Sequence, residues 1–284
     1  MIENRYDFVI LFDVENGNPN GDPDAGNSPR VDAETGYGFV TDVCIKRKIR
    51  NYVELVKNGE KGYNILIKPD KVLNEKFEDV YISEGLKLKE KGKNDDNENK
   101  ARDFMCRNYF DVRTFGAVMS TGEYQCGIVR GPVQIGFSRS VSPVNIQDIT
   151  ITRQARTTIK REATGKTEFG KKSIIPYALY RAEGHISAAH ANNATDMTEE
   201  DVELLWQAIE NMFEEDHSAA RGEMNTRRLY IFKHDSVLGN SPAYKLFEKI
   251  KIKEKETVAV PRKFDDYEIT VDEEMPEGVT LICR

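Results

Sequence analysis

From Asn16 to Tyr52 the chain runs NGNPNGDPDAGNSPRVDAETGYGFVTDVCIKRKIRNY, a long Gly/Asn/Asp/Pro stretch that opens directly onto a basic helix. The first half is too rich in turn formers to be regular structure. The second half gathers Lys46, Arg47, Lys48 and Arg50 within five residues. An irregular loop of about twenty residues inside a compact domain is either functional or disordered. A cluster of positive charge of phosphate size follows this one at once, which points to function.

At 284 residues the chain is long enough to bury a substantial core, as one large domain with insertions or as two smaller ones. No apolar run approaches the ~20 residues needed to span a bilayer. The start, MIENRYDFVILFDVENG, places an acid before its apolar run and ends that run in Asp13 and Glu15. It reads as a strand rather than a signal peptide. Cys44, Cys106, Cys126 and Cys283 are far apart and form no CxxC pair. A zinc site is therefore not expected, and the thiols read as reduced in a cytoplasm.

The net charge of -7 argues at first against nucleic acid, but the average hides an asymmetry. Between Ile151 and Lys172 stand Arg153, Arg156, Lys160, Arg161, Lys166, Lys171 and Lys172, against only Glu162 and Glu168. Asp196 to Asp216 and Phe264 to Gly278 are acidic and contain no Lys or Arg. Separate basic and acidic faces fit a protein that binds a polyanion locally and docks to its own kind. An unevenly charged, solvated surface is the plainer reading of the same pattern.

Tyr6, Phe8, Ile10 and Phe12 alternate along a first strand. Thr41 reads as the N-cap of a helix from Asp42 to about Lys57, with Val43, Ile45, Ile49, Tyr52, Val53 and Val56 as its apolar stripe. Asn58 to Glu123 is mixed, with a short strand signal at Ile65–Ile67 and broken helical segments. Lys87 to Lys100 is almost wholly charged or amide and reads as a surface loop. Gln125 to Ser138 reads as a strand interrupted at Gly131-Pro132, and Ser173 to Ala189 as a strand region. Thr198 opens the clearest helix, with a capping box to Asp201 and a stripe at Val202, Leu205, Ile209, Met212 and Phe213. Arg227 to His234 is a strand, Pro242 to Ile250 a short helix, and Lys253–Val260 and Phe264–Val271 closing strands. Without the two irregular stretches the order is β, α, β, β, α, β, the α+β, ferredoxin-like order of RNA-recognition domains.

Most motif-like chemistry fails on spacing. Asp13, Asp22, Asp24 and Asp32 suit a divalent cation in principle, but DPDAGN breaks the calcium-loop pattern, and Asx residues in such loops mostly cap turns. Gly165-Lys166-Thr167 lacks the earlier glycine of a phosphate loop, and Gly36-Tyr37-Gly38 lacks the third glycine of a dinucleotide fingerprint. His185 and His190 fall on opposite faces of a strand and are poor joint ligands. His217 beside Ser218, and Cys44, lack sequence partners for nucleophile chemistry. What survives is the basic helix, where the spacing of Lys46, Arg47 and Arg50 predicts a cationic ridge on one side. Such a ridge holds a nucleic-acid backbone without reading its sequence.

The segment Asn18–Tyr52 resembles the signature of the CRISPR-associated backbone subunit of Cascade, subtype I-C, of the RAMP superfamily. The resemblance continues in FDVRTFGAV (Phe110–Val118), RGPVQ (Arg130–Gln134), ITRQA (Ile151–Ala155), IPYALYRAEG (Ile175–Gly184) and DHSAARGEM (Asp216–Met224). It implies a right hand: an RNA-recognition-like palm over residues 1–57, 124–137 and 173–284, a helical fingers insertion over 58–123 and a β-hairpin thumb over 138–172. It further implies copies stacked head to tail along a CRISPR RNA, with other Cascade subunits, and target DNA read by base pairing to the guide.

On that resemblance Lys46, Arg47 and Arg50 fall on RNA phosphates, and Asn18, Asn20 and Arg30 near the same backbone or the next subunit. Arg139, Arg153, Arg156 and Lys160 belong to the thumb. Arg130 and Arg221 are weaker candidates, since either suits an internal ion pair. No cofactor and no membrane are implied, and no catalysis. The alternative is a metal-dependent ribonuclease using the first-loop aspartates, as in type III relatives. A small-molecule enzyme with a metal in the Asx-rich loop is a third class, which predicts a defined monomer without RNA.

Overall fold

Tyr6–Gly17 forms the long strand β1, buried along nearly its whole length. The computed structural model describes residues 1–88, 96–153 and 168–284. After β1 come two short strands, β2 (Gly21–Asp22) and β3 (Ser28–Pro29), then β4 (Tyr37–Val40) and helix α1 (Asp42–Val56). A helical segment follows, with α2 (Leu73–Ser83), α3 (Asp96–Asn108) and α4 (Phe110–Phe115), closed by the hairpin β5 (Gly116–Val118) and β6 (Ile128–Arg130). Next are β7 (Val133–Ile135), β8 (Ser138–Pro143), β9 (Gln147–Arg153) and the long β10 (Glu168–Ile186). A single turn, α5 (Ala188–His190), leads to α6 (Glu199–Asn211) and β11 (Glu223–His234). The chain ends with α7 (Ala243–Phe247), the hairpin β12 (Ile250–Glu254) and β13 (Tyr267–Val271), and β14 (Val279–Cys283).

The main sheet runs β14-β11-β1-β10-β8-β4, with β7 and β9 also paired to β10. The ladders of β1 with β10 and β11 are antiparallel and run almost the full strand length. The order around the first strand is thus β11, β1, β10, then β7 and β8.

The period-2 geometry of β1 divides the interior into two cores. Tyr6, Phe8, Ile10, Phe12 and Val14 pack with Ile45, Ile49 and Val53 of α1 and with Val202, Leu205 and Ile209 of α6. Both helices therefore lie on one face. Val9 and Leu11 point to the other face, against Tyr230, Phe232, Leu246, Phe247, Ile250 and Tyr267. The α7 segment and the β12–β13 hairpin cover the centre of that second face. The segment between α1 and β7 has its own core of Leu66, Phe77, Val80, Tyr81, Met105, Cys106 and Val112. There the burial of Cys106 pushes its thiol up to about 11.

Several expectations shift. Ile65–Ile67 is not a strand: the Leu66 and Ile67 amides donate to the buried Asp111 carboxylate at 2.8 and 3.1 Å. A carboxylate there replaces the ladder that the β-branched residues suggested. The closing strand expected at Lys253–Val260 lies earlier, because the chain turns where the Val258 amide bonds to the Lys255 carbonyl. The basic stretch from Ile151 to Lys172 begins and ends in strands, since β9 pairs with β10 from Gln147↔Ile174 to Arg153↔Glu168. Among the described residues no helix is long and apolar enough to cross a membrane.

At the start of β1 sits a buried charge the sequence did not advertise. Asp7 accepts from His185 Nδ1 at 2.6 Å, from His234 Nε2 at 2.9 Å and from Arg5 at 2.9 Å. The Asn240 amide donates to His234 Nδ1, which fixes the proton on Nε2. Burial by itself raises the Asp7 pKa. The hydrogen bonds from both histidines and the Arg5 charge outweigh it and hold the carboxyl well below the usual carboxylate range. The folded-state pKa is depressed, so the stability Asp7 supplies is present above its unfolded value of about 3.9 and lost as pH falls below it. Urea unfolding midpoints measured from pH 7 to pH 2 should therefore fall less steeply at the acid end for Asp7→Asn than for the wild type. An unchanged acid limb would remove Asp7 from this role.

Candidate nucleic-acid interface

The Asn/Gly/Pro loop is ordered by its own chain. Gly17 and Gly222 cross so closely that a Cβ on Gly17 would lie 1.7 Å from the Arg221 carbonyl oxygen. Gly222, at φ +71°, would meet the Glu15 carbonyl oxygen at 2.4 Å. Only glycines allow this approach. The Asn18 amide then donates to the Ala220 carbonyl at 3.0 Å, and Asn18 Nδ2 to the Asn27 carbonyl at 2.6 Å. Asn20 Oδ1 accepts from both the amide and the hydroxyl of Thr41, at 3.0 Å each. Thr41 thus begins α1 as expected, but its hydroxyl is spent on Asn20 rather than on capping the helix.

Asp22 and Asp32 of the loop are turn formers. Asp22 Oδ1 accepts from the Asp24 amide, and Asp32 accepts from Thr35 Oγ1 at 2.8 Å and the Glu34 amide at 3.1 Å. Asp13 is buried in β1 and takes bonds from Tyr177 at 2.9 Å and Arg227 at 2.7 Å. Among the described residues no group of three or more His, Cys, Asp or Glu is placed to hold a metal ion.

The basic helix is rearranged relative to its sequence reading. Its buried stripe is Ile45, Ile49 and Val53, flanked by Lys48 and Arg50, while Val43 and Val56 face solvent. The expected ridge of Lys46, Arg47 and Arg50 is therefore corrected. Arg50 is buried, donates from Nε to Asp111 at 2.8 Å and stacks its guanidinium 5.2 Å from the Phe115 ring centre. Lys46 bonds to Asp42 one turn back at 3.0 Å. Arg47 has a half-buried side chain with no ion pair among the described residues. Burial and the nearby Arg50 charge lower its pKa. Lys48, not singled out as a contact, is buried against Phe213 and pairs with Asp216. Cations inside an apolar stripe signal buried pairs, because a lone buried charge is not tolerated.

The other candidates fall into distinct places. Arg221 bonds to Asp216 at 2.7 Å, the internal ion pair foreseen for it. Asp216 thus ties Lys48 and Arg221 together beneath the first loop. Arg30 approaches Asp22 at 3.4 Å, and its Nε has no hydrogen-bond partner. Arg130 is exposed on β6 opposite Gly116, and Arg139 is exposed on β8 opposite Phe39. Arg153 ends β9, and Arg156 and Lys160 lie outside the described residues.

The structure brings Asn18, Asn20, Arg30 and Arg221 together around the loop. Next to them stands the start of the β9–β10 ribbon: Ser28 Oγ bonds to Ser173 Oγ at 3.3 Å, and Lys172 Nζ donates to the Ala219 carbonyl. Lys171 is exposed on that ribbon. Three sequence blocks distant along the chain, 16–41, 172–173 and 216–222, therefore form one surface.

An antiparallel sheet with two helices on one face, a helical insertion and a two-stranded ribbon beside an ordered loop make this a mixed α/β protein with a central antiparallel sheet. The chain belongs to the Cas7 family: residues 4–272 match the family described as CRISPR-associated protein Cas7. A curated relative, CRISPR-associated protein Cas7 of Haloferax volcanii, is 37% identical over 65 residues. That match covers 23% of this chain and only 18% of the relative. Among solved structures, a chain of a CRISPR RNA-guided surveillance complex in a pre-nicking state aligns at TM-score 0.51 and 12% identity, covering 86% of both chains. A second chain, from a CRISPR RNA-guided surveillance complex, aligns at TM-score 0.45 and 12% identity over 86% of this chain and 79% of that one. At 12% identity the likeness to the first of these is one of fold.

Proposed function

We propose that the chain binds CRISPR RNA along its backbone and stacks head to tail with copies of itself. It thereby builds the filament of a type I-C Cascade complex that recognises DNA through the guide, with no catalysis of its own. The observation that carries this reading is the β9–β10 ribbon. Its β9 strand is exposed from Gln147 to Thr152, with Ile149 and Ile151 at 42% and 38%. A two-stranded ribbon is marginal alone and gains from a partner. By sequence its two strands are joined through Arg156, Lys160, Arg161 and Lys166. A cationic arm anchored beside an ordered Asn/Gly loop suits a polyanion that runs past both.

The sheet order β11-β1-β10-β7/β8, with α1 and α6 on one face, supports reading the centre as a ferredoxin-like, RNA-recognition-like palm. The α2–α4 segment with its separate core then serves as fingers, and the ribbon as thumb. Family membership supports the assembly with other Cascade subunits in a cytoplasm. The hydrogen bonds of Asp22 and Asp32 support a non-catalytic loop, since Asp32 accepts turn bonds at both oxygens and Asp22 at one. When the assembled complex is incubated with complementary RNA and Mg²⁺, the RNA should stay intact. Cutting at regular intervals that disappears in Asp22→Ala or Asp32→Ala would replace this reading with a ribonuclease.

A further inference from the structure

The sheet face opposite α1 and α6 is covered only in part. Odd-numbered Val9, Leu11, Tyr177 and Leu179 lie beneath α7 and the β12–β13 hairpin. Toward the β8–β4 edge that face is open, and two aromatic rings stand on it. Phe137 is 57% exposed and Phe39 is half-buried, with ring centres 6.1 Å apart and planes parallel within 1°. Phe39 is the cross-strand partner of Arg139, which is exposed and has no ion pair among the described residues.

A groove of about 400 Å³ continues from the rings past Val141 to Ile252. Arg181 in its wall is spent on the Phe247 and Ile250 carbonyls, at 2.7 Å each, and on Glu183. Among the described residues Arg139 is therefore the cation left available in this groove.

Exposed aromatic rings on a sheet face beside a free guanidinium stack nucleobases and hold the adjoining phosphate. The apolar side chain of a second copy is the competing occupant. Continuity with the surface described above favours the base. The Phe39 amide donates to the Arg30 carbonyl at 3.0 Å, so the platform is the direct extension of the first loop. The β8 strand, which follows Phe137, runs on into β9 of the basic ribbon.

We propose that Phe39 and Phe137 form a stacking platform for an unpaired nucleobase, with Arg139 on its phosphate. This rests on the RNA-binding reading and adds to it a contact to the base itself. It is independent of base identity, because every base has a π-face.

The test compares the full chain binding a single-stranded oligoadenylate with its binding an abasic strand of equal length and charge. The wild type should prefer the base-bearing strand about tenfold or more. Phe39→Ala with Phe137→Ala should remove that preference while leaving abasic-strand affinity and its salt dependence unchanged, and Phe137→Trp should retain it. A wild type that binds RNA with a preference the alanine pair does not alter would overturn the platform alone. Binding to neither strand would overturn the RNA reading as well. Loss of RNA-free self-association in the alanine pair, with base preference intact, would assign the rings to a second copy and also overturn it.

Discussion

Arg113→Ala should be the most destabilising single substitution in this chain, at about 3–5 kcal/mol. Arg113 lies on α4 and bonds to Asp201 on α6 through Nε at 2.9 Å and Nη2 at 2.7 Å. Both side chains are buried, at 8% and 2% exposure. The same guanidinium donates to the Gly62 carbonyl and lies 5.0 Å from the Tyr63 ring centre. Asp201 has a second task, since its Oδ2 accepts from the Thr198 amide and hydroxyl to close the capping box of α6. Removing the arginine strands a buried carboxylate at that helix start and removes a tie between the helical insertion and α6. The Arg284–Glu203 pair is more exposed, so its removal should cost no more than about 1 kcal/mol. Urea midpoints of the two variants, compared with wild type, measure the contrast. Equal small losses would mean that the insertion does not depend on Arg113.

The second large effect concerns affinity. Arg139 and Lys171 are exposed, Arg47 is half-buried, and none of the three has an ion pair among the described residues, so replacing all three by alanine breaks no ion pair of the interior. If each holds one phosphate of single-stranded RNA, the slope of log K against log salt should become shallower by about 2. At about 0.1 M salt that amounts to a loss of about hundredfold, without sequence preference. Arg50 does not belong in this set. Reversing its charge would strand Asp111, which also holds the Leu66 and Ile67 amides, and would report on folding. Titrations of the triple variant at several salt concentrations decide the matter. An unchanged slope would remove these side chains from the RNA path.

Local pattern made part of this legible. The α6 stripe at Val202, Leu205, Ile209, Met212 and Phe213 is buried as its period requires, and its Thr198–Asp201 box is formed. The alternation of Tyr6, Phe8, Ile10 and Phe12 marked one face of β1 correctly. The second face went unread because β1 is covered on both sides, so Val9 and Leu11 are apolar too and the period fades. Helix α1 misled for a different reason. A stripe that contains Lys48 and Arg50 becomes apolar only once Asp216 and Asp111 arrive from 168 and 61 residues away. No window along the sequence contains both partners. The Asp7–His234 pair, 227 residues apart, and the Arg113–Asp201 pair, 88 apart, were hidden in the same way. Turn chemistry was easier, because Asx residues bond within a few positions of themselves, as Asp22 and Asp32 do. The crossing of Gly17 and Gly222 was visible only as two glycines in two loops. Their contact made one surface out of separate blocks.

The most direct test supplies the chain with CRISPR RNA and its partner subunits, purifies the product at moderate salt, and reads mass by sizing and nucleic acid by absorbance ratio. The filament reading predicts an RNA-containing assembly that holds several copies of this chain. An RNA-free monomer under those conditions would contradict it.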